Sequence, residues 1–379
     1  MNRSVYITRL ASFLPNEPVA NEEMENILGL INNQSSKAKP LILRNNQIKK
    51  RFYALDRAGN TTHTNAQLTK LAIEKLFDEK FKMSDVDVLS CGTTSPDQLL
   101  PAHAAMVHGA LGAHEVEINS ATGACSAGIQ ALKFGYLSVL AGAADNAVCA
   151  GSERFSRQML ARFFKEEAEK VKQLEGDGII AFEKDFLRFM LSDGASAALL
   201  ESKPNENGIS LRIDWLEQRS FANQLPPCMY AGAVFDKDGN FTGWNDMDQP
   251  QWAAQSVFAI KQDTKLLGEN IVKKGGELLR DIIKEKNLDL STITYFLPHL
   301  SSQYFASRIE KGLADLGMDV PQSRWFTNLS WVGNVGAASP YLMLEELFHS
   351  GRLKVGDKLL MMIPESARFN YGYVLLTVV

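Results

Sequence analysis

The sequence lacks the features that mark membrane, secreted and nucleic-acid-binding proteins. No apolar stretch reaches the roughly 18 residues of a membrane-spanning helix, and the amino terminus has no signal-peptide pattern. The four cysteines form no Cys-x-x-Cys pair, which argues against a zinc ribbon or a disulfide framework. The net charge of −4 provides no general attraction to nucleic acid or anionic lipid. We therefore expect a reduced, cytoplasmic protein without nucleic-acid or membrane partners.

Phosphate-loop and metal chemistry also have little support. No Gly-x-x-x-x-Gly-Lys-Ser/Thr loop occurs, and Gly333 and Gly336 are too close together to form a dinucleotide loop. His103, His108 and His114 are spaced neither for one face of a helix nor for a strand. We therefore expect no metal and no bound cofactor. The 379 residues and 45% hydrophobic content are ordinary for a globular protein.

The sequence contains one pattern of residues twice. Residues 119–125 lead into an apolar helix that runs to residue 142, and residues 328–334 lead into another that runs to residue 351. A shift of 209 positions (334 − 125) superimposes the two segments without a gap. Repetition at one fixed offset indicates a duplicated domain. We predict two similar halves, residues 1–200 and 209–379.

Strand-like and helix-like segments alternate in both halves, which predicts a mixed α/β sheet covered by helices. The predicted strands are 4–10, 86–91, 147–151, 195–200, 209–215, 294–298, 358–363 and 373–379. Besides the repeated pair, helices are predicted at 64–77 and from about 263 to 286. The stretches 165–184 and 219–251 are predicted to be insertions that form lids or subunit contacts.

Cys125 is the first candidate functional residue. The helix that follows it has a single charge in about four turns, Lys133, and a helix this apolar on every face lies in the centre of a protein. A thiol at the start of such a helix lies at the positive end of the helix dipole, which favours the thiolate. Most free cysteines are small buried residues without a reactive role. The small residues around Cys125 favour the reactive interpretation, because they let other groups approach.

His299 and Asn334 are the matching candidates in the second half. The offset of 209 places Asn334 on Cys125, and it places His299 on Ser90 at the end of a predicted strand. An isolated histidine is more often a core or surface residue, and Asn334 could be an ordinary helix cap. Their common register with Cys125 instead predicts that the three side chains converge on one site. A weaker repeat, at an offset of 212, relates Gly151-Ser-Glu153 to Ile363-Pro-Glu365.

These motifs resemble β-ketoacyl-acyl-carrier-protein synthases of the type III group, in the thiolase-like superfamily. Residues 124–128 (Ala-Cys-Ser-Ala-Gly) resemble the nucleophile segment of that family, and Pro298-His299 resembles its Pro-His motif. Residues 333–339 resemble its Gly-Asn-x-x-Ala-Ala-Ser motif. The resemblance extends over nearly the whole chain. It implies a five-layered αβαβα fold built from two duplicated halves, and a homodimer.

The resemblance also implies an acyltransferase that performs a Claisen condensation. Cys125 would attack an acyl thioester and carry the acyl group. His299 and Asn334 would donate hydrogen bonds to the enolate oxygen of the second substrate, while the backbone N–H groups of Cys125 and Ala367 would form an oxyanion hole. The expected partners are thioesters of acyl carrier protein, of coenzyme A, or of both.

Departures from the family pattern bear on the substrate. Pro40 replaces a tryptophan found in members that prime on acetyl-coenzyme A, and residues 300–302 (Leu-Ser-Ser) replace polar residues after the Pro-His motif. Both changes favour carrier-protein substrates. Leu100 replaces a phenylalanine that lines the pocket of the partner subunit, which indicates a longer or branched acyl group. Ala367 replaces the central glycine of the C-terminal loop.

The chain most resembles ketosynthases of secondary metabolism that form dialkylresorcinols or cyclohexanediones. That resemblance implies the joining of a β-ketoacyl thioester to a second acyl or enoyl thioester in a polyketide-like pathway. Three alternatives remain open at this point. They are initiation of fatty acid biosynthesis, acyl transfer to oxygen, nitrogen or water on the same fold, and a non-enzymatic subunit that measures acyl length. Retention of Asn334 argues against the second alternative, and the presence of Cys125 argues against the third.

Overall fold

The computed structural model describes residues 3–31, 33–163, 186–236 and 238–379, so the predicted insertion at 165–184 lies outside the described residues. The strands in this part of the chain are β1 (Tyr6–Phe13), β2 (Val19–Ala20), β3 (Lys50–Arg51), β4 (Val88–Thr93), β5 (Glu117–Thr122), β6 (Asn146–Glu153), β7 (Gly194–Glu201), β8 (Leu211–Ser220), β9 (Met229–Tyr230), β10 (Ala233–Phe235), β11 (Phe241–Gly243), β12 (Lys261–Gln262), β13 (Tyr295–Pro298), β14 (Lys358–Pro364) and β15 (Asn370–Val378). The α-helices are α1 (Met24–Leu28), α2 (Lys39–Asn46), α3 (Asn65–Glu74), α4 (His103–Leu111), α5 (Ala127–Ala141), α6 (Gln249–Ala254), α7 (Thr264–Lys286), α8 (Ala306–Ala314), α9 (Leu329–Val332) and α10 (Ser339–His349).

Nine strands form one mixed sheet in the order β13-β14-β15-β8-β1-β7-β6-β4-β5. Strands β1, β7, β6, β4 and β5 come from the first half of the chain, and the other four come from the second. The halves join where Tyr6 and Ile7 of β1 pair with Arg212 and Leu211 of β8. Residues 202–210 connect the halves in sequence. The domain limits at 200 and 209 themselves stay a prediction.

The core is organised in layers around the two repeated helices. Side chains of α5 and α10 share one apolar cluster with strands of both halves, including Leu132, Tyr341 and Met361. A second cluster packs α3 and α4 against the outer face of the first half, and a third packs α7 and α8 against the second half. The predicted five-layered α/β arrangement is therefore confirmed. No helix among the described residues is both long and apolar enough to span a bilayer.

The duplication is visible in the structure, with one difference between the copies. Shifting α5 by 209 positions places it on residues 336–350, where a 3₁₀ turn at Gly336–Ala338 continues into α10. The sequence pattern predicts that the second copy enters its helix directly, and the structure shows that it does not. The short helix α9 stops at Gly333, and the chain turns before the 3₁₀ segment. Gly333 and Gly336 adopt φ values of +81° and +48°, which disfavour side chains and interrupt the helix.

The sequence prediction also missed several elements of the first half, among them β5 and the short elements α1, α2, β2 and β3. Residues 119–122 belong to the edge strand β5, where Glu117 and Thr122 are exposed, so the strand carries little apolar signal. Helix α4 was not predicted either. The other predicted strands and helices outside residues 164–185 exist, with limits that differ by at most five residues, and α7 spans almost the predicted range.

The starts of the two buried helices touch at a contact that only glycine permits. A Cβ atom on Gly128 would lie 2.1 Å from the carbonyl oxygen of Ala337, and one on Gly151 would lie 2.4 Å from the same atom. The hydroxyl of Tyr341 donates a hydrogen bond to the Gly128 carbonyl at 2.8 Å. Gly128 and Ala337 are themselves related by the offset of 209. This contact brings the segments that carry Cys125 and Asn334 close together.

Candidate active site

Cys125 lies in the turn between β5 and α5. Ser126 is the N-cap residue, and α5 begins at Ala127, so the thiol stands two residues before the first helical position. The residue is 8% exposed. The apolar character of α5 explains the position, because the helix is stable only in the central layer, which buries its first turn with it.

Two cavities meet at Cys125. The first encloses about 420 Å³ of empty space, including space open to solvent, is lined by His299 and is named the His299 cavity. The second encloses about 410 Å³, counted in the same way, is lined by Asn334 and is named the Asn334 cavity. Ser301 and Ser366 line both. The remaining walls are mostly apolar, with Leu267, Ile271, Val272, Phe305, Ile309 and Met362 in the first cavity, and Phe155, Leu187, Met190, Leu191, Met229 and Ile260 in the second.

His299 stands at the end of β13 with one ring nitrogen unsatisfied. Its backbone N–H donates to the Met362 carbonyl at 2.8 Å, which extends the parallel pairing of β13 with β14. The Nε2 atom is buried and has no hydrogen-bond partner among the described residues. Burial lowers the pKa of the imidazole to about 4, so the ring is neutral near pH 7. A buried polar atom without a partner is costly, and a substrate oxygen in the His299 cavity would satisfy it.

Asn334 is oriented by its own turn. Its Oδ1 accepts a hydrogen bond from the backbone N–H of Gly336 at 3.0 Å, and its backbone N–H donates to the Met190 carbonyl at 3.2 Å. The side chain is therefore not a helix cap, since α10 begins only at Ser339. With Oδ1 engaged, Nδ2 is the group that remains to donate a hydrogen bond, and it has no partner among the described residues. Asn334 thus brings an amide donor to a wall of its cavity.

Two buried carboxyl groups lie near Cys125. Glu365 accepts hydrogen bonds from the Ser126 hydroxyl and, at 3.4 Å, from the Ala124 N–H. Glu153 accepts bonds from the Ala337 N–H at 3.0 Å and from Thr94. Burial is the main cause that raises the pKa of the Cys125 thiol, and Glu365 and then Glu153 add to it. This direction is opposite to the one expected from the helix start. Burial also raises the pKa of both carboxyl groups, that of Glu153 to about 7.

The structure places Cys125, His299 and Asn334 on the walls of the two cavities, whereas the other two predicted site residues line neither cavity. Leu100 is 85% exposed and lines neither cavity of the single chain. Its predicted role in the pocket of a partner subunit stays a prediction. The carbonyl of Ala367 accepts from the Cys228 N–H at 2.7 Å, and the neighbouring Ser366 lines the cavities. The oxyanion role of the Ala367 N–H also stays a prediction.

Several residues around the thiol were missed as site residues. Ser301 follows the Pro-His pair, and Ser366 precedes Ala367, so both could have been found from motifs already noted. The relation of Glu153 to Glu365 at an offset of 212 was noted only as evidence for duplication. Met229, in the predicted insertion 219–251, reaches the Asn334 cavity, and no local signal indicated this.

Comparison with known proteins extends these observations. Residues 283–366 match the profile of the 3-oxoacyl-[acyl-carrier-protein] synthase III C-terminal domain, a segment that contains His299 and Asn334. Over 317 residues, the chain is 26% identical to the β-ketoacyl-[acyl-carrier-protein] synthase III of Clostridium perfringens, and the match covers 83% of each protein.

Solved structures share the fold over the whole chain. A tetronic acid condensing enzyme, AbyA1, superimposes with a TM-score of 0.77 at 21% identity, covering 98% of this chain and 99% of that one. OleA of Xanthomonas campestris, solved with lauric acid and lauroyl-CoA, gives a TM-score of 0.74 at 17% identity and covers both chains fully (100%). The chain is therefore similar to β-ketoacyl-acyl-carrier-protein synthase III enzymes in sequence and has their thiolase-like fold.

Proposed function

We propose that the protein is a ketosynthase that joins two acyl thioesters by a Claisen-type condensation through an acyl-Cys125 intermediate. The observation that carries this proposal is the meeting of two mostly apolar cavities at one thiol, with His299 in one and Asn334 in the other. One cavity can hold the acyl chain on Cys125 while the other admits a second acyl chain. The relatives named above, which include synthases and a condensing enzyme, support the same reaction class.

In the first half-reaction, Cys125 attacks the carbonyl carbon of an acyl thioester. A carbon–sulfur bond to Cys125 forms, the bond to the carrier sulfur breaks, and the carrier leaves as a thiol with the proton that Cys125 gives up. The backbone N–H groups of Cys125 and Ala367 are proposed to stabilise the oxyanion of the tetrahedral intermediate.

In the second half-reaction, the other thioester forms an enolate, either by loss of carbon dioxide from a β-carboxyl group or, in a β-ketoacyl thioester, by loss of a proton to water. The neutral imidazole of His299 and the Nδ2 amide of Asn334 are proposed to donate hydrogen bonds to the enolate oxygen. The enolate carbon then attacks the acyl group on Cys125, and the sulfur of Cys125 leaves. A neutral histidine suits this role, because it can donate a hydrogen bond without carrying a full charge into the apolar cavity.

The proposed substrates are a β-ketoacyl thioester and a second acyl or enoyl thioester, as in dialkylresorcinol-type secondary metabolism. The apolar walls of both cavities support acyl chains on both partners. Thioesters of acyl carrier protein or coenzyme A are the proposed donors. A homodimer is also proposed, in which the exposed Leu100 would line the pocket of the partner subunit.

The test is acylation measured by intact mass. Incubating the protein with a panel of acyl-carrier-protein and acyl-coenzyme A thioesters should add one acyl group, and Cys125→Ala should abolish the addition. A wild-type protein that remains unmodified by the whole panel would contradict the enzymatic proposal.

Product analysis then separates the finer alternatives. A β-ketoacyl thioester mixed with an enoyl thioester should yield a product that contains both chains. Formation of a short β-ketoacyl product from acetyl-coenzyme A and a malonyl thioester alone would indicate initiation of fatty acid synthesis instead. Transfer of the acyl group from Cys125 to an alcohol, an amine or water, without a new carbon–carbon bond, would indicate a simple acyltransferase.

A further inference from the structure

The two buried glutamates near Cys125 form a pseudo-symmetric pair. Glu153 ends β6, Glu365 directly follows β14, and the two positions differ by 212 (365 − 153). Each carboxyl group crosses to the other half of the molecule. Glu153, in the first half, accepts from the Ala337 N–H ahead of α10, while Glu365, in the second half, accepts from residues ahead of α5. The duplication thus places one carboxyl group against the turn that precedes each of the two buried helices, α5 and α10.

The surroundings of the two carboxyl groups differ. Glu153 receives hydrogen bonds from the backbone and hydroxyl groups of Thr94 and Ser95 in addition to Ala337. Glu365 instead accepts hydrogen bonds from Ala124 and Ser126, the residues on either side of Cys125. The Ser126 hydroxyl is fixed in turn by the Asn370 amide at 3.0 Å. Glu365 therefore contacts the turn of the nucleophile directly, whereas Glu153 contacts the opposite turn.

We propose that Glu365 is a positioning residue for Cys125, holding the turn that carries the thiol and supplying the negative charge against which its thiolate forms. This inference rests on the nucleophilic role proposed for Cys125. A thiolate next to a carboxylate is disfavoured by repulsion between like charges in a region with little water. Glu365 therefore controls the pH at which Cys125 becomes nucleophilic, in addition to its geometry.

Few other titratable groups in the described part of the chain lie near the pair. Tyr371 on β15 faces Glu365, but its hydroxyl is buried and donates to the Ile271 carbonyl. Arg368 meets Glu365 through its backbone N–H, while its side chain is exposed. Glu153 acts on Cys125 more weakly than Glu365 does. His299, on the wall of the His299 cavity, is neutral above a pH of about 4.

The experiment measures how the alkylation rate of Cys125 by iodoacetamide depends on pH. Peptide mapping assigns the modified thiol among the four cysteines. In Glu365→Gln, the amide oxygen can keep the hydrogen bonds from Ser126 and Ala124, but the charge is removed. We expect the midpoint of the pH profile to move to lower pH by about 1 unit or more, the usual size of the effect of a neighbouring charge. Alkylation at pH 7 should accelerate correspondingly.

Glu153→Gln is the matched control, because it removes the equivalent carboxylate at the turn that precedes α10. Its midpoint should move in the same direction but by less. Glu365→Ala removes the hydrogen bonds as well as the charge, so it should lower the melting temperature more than Glu365→Gln does. An unchanged midpoint in Glu365→Gln, or a larger shift in Glu153→Gln, would overturn the proposal. Failure of Glu365→Gln to fold would also overturn it, since the proposal assigns the charge no part in folding.

This readout is independent of the condensation. Iodoacetamide tests the thiol itself, so the shift can be observed even if no acyl thioester modifies the protein. In that case the ketosynthase proposal would fail while the role of Glu365 would stand. Normal acylation of the wild type with no shift in Glu365→Gln would give the reverse result.

Discussion

The turn before α5 and the turn before α10 occupy equivalent places in the two halves, yet they present different groups. In the first half, the chain passes from β5 through Cys125 almost directly into the helix. In the second half, a short helix and Gly333 precede Asn334, and Val335 and a 3₁₀ turn that begins at Gly336 separate it from α10. Both glycines have positive φ. The first arrangement buries the Cys125 thiol next to the amino-terminal end of α5. The second turns an amide toward a cavity and uses the backbone of Gly336 to hold its oxygen.

The difference shows how a duplicated fold can divide two chemical tasks. Both turns receive a carboxyl group from the opposite half, and both lie beside Gly128 and Ala337, where the helices touch. The two turns therefore have equivalent surroundings, while the side chain that each turn presents differs, with Cys125 in the first and Asn334 in the second. Under the proposed function, Cys125 in the first turn holds the acyl group, and Asn334 in the second turn, together with His299, stabilises the enolate.

The largest expected effect tests whether the turns before α5 and α10 have separate roles in the reaction. In His299→Ala and Asn334→Ala, condensation should fall by about 10²–10³-fold, equivalent to about 3 kcal/mol, because one donor to the enolate oxygen is lost. Acylation of Cys125 should persist, since it does not require the enolate. Single-turnover acylation by intact mass and product formation by chromatography measure the two steps. Equal losses in both steps would mean that the two turns do not divide the reaction in this way.

A second substitution breaks the contact between the two helix starts. Gly128→Ala places a Cβ atom 2.1 Å from the Ala337 carbonyl oxygen, so the backbone must shift. Overpacking of this kind costs about 1–3 kcal/mol of the free energy of unfolding. The reciprocal change, Ala337→Gly, relieves no clash and should cost only about 0.5–1 kcal/mol. Urea unfolding of both variants measures the difference, and similar small losses would show that the close approach is not required.

The smallest expected effect compares the two cavities. Val272 and Ile260 are half-buried residues that line the His299 and Asn334 cavities respectively. Val272→Phe and Ile260→Phe should each shorten the acyl chain that one substrate can carry, with rates for long chains falling about tenfold, the effect of a methylene or so in an apolar pocket. Competition between thioesters of different length measures this. Identical shifts for both substrates in both variants would indicate one common channel.

Much of the fold could be predicted from local pattern. Apolar periodicity placed α7 nearly to the residue, and the fixed offset revealed the duplication before any contact was known. Strand β5 was missed because an edge strand with polar residues on both faces has no apolar alternation to detect. The break before α10 was missed because Gly333 and Gly336 could also occur in a helix, and only their φ values show that they end it.

The candidate site shows the same division. The types and positions of Cys125, His299 and Asn334 follow from motif and register alone, since duplication relates the turns on which they lie. The sequence could not show that burial and two carboxylates oppose the thiolate, because these groups come from β6 and β14, far from Cys125 along the chain. It also could not show that Leu100 lies away from the cavities of its own chain.

By itself, therefore, the sequence determined the duplication, the layered α/β fold and the three residues that converge. These are consequences of periodicity and of a constant spacing, which are properties of the chain. The tertiary structure decided which groups surround the thiol, where the two cavities lie and how Glu365 and Glu153 cross between the halves. Such features depend on contacts between residues distant in sequence, and only packing of the two halves around α5 and α10 creates them.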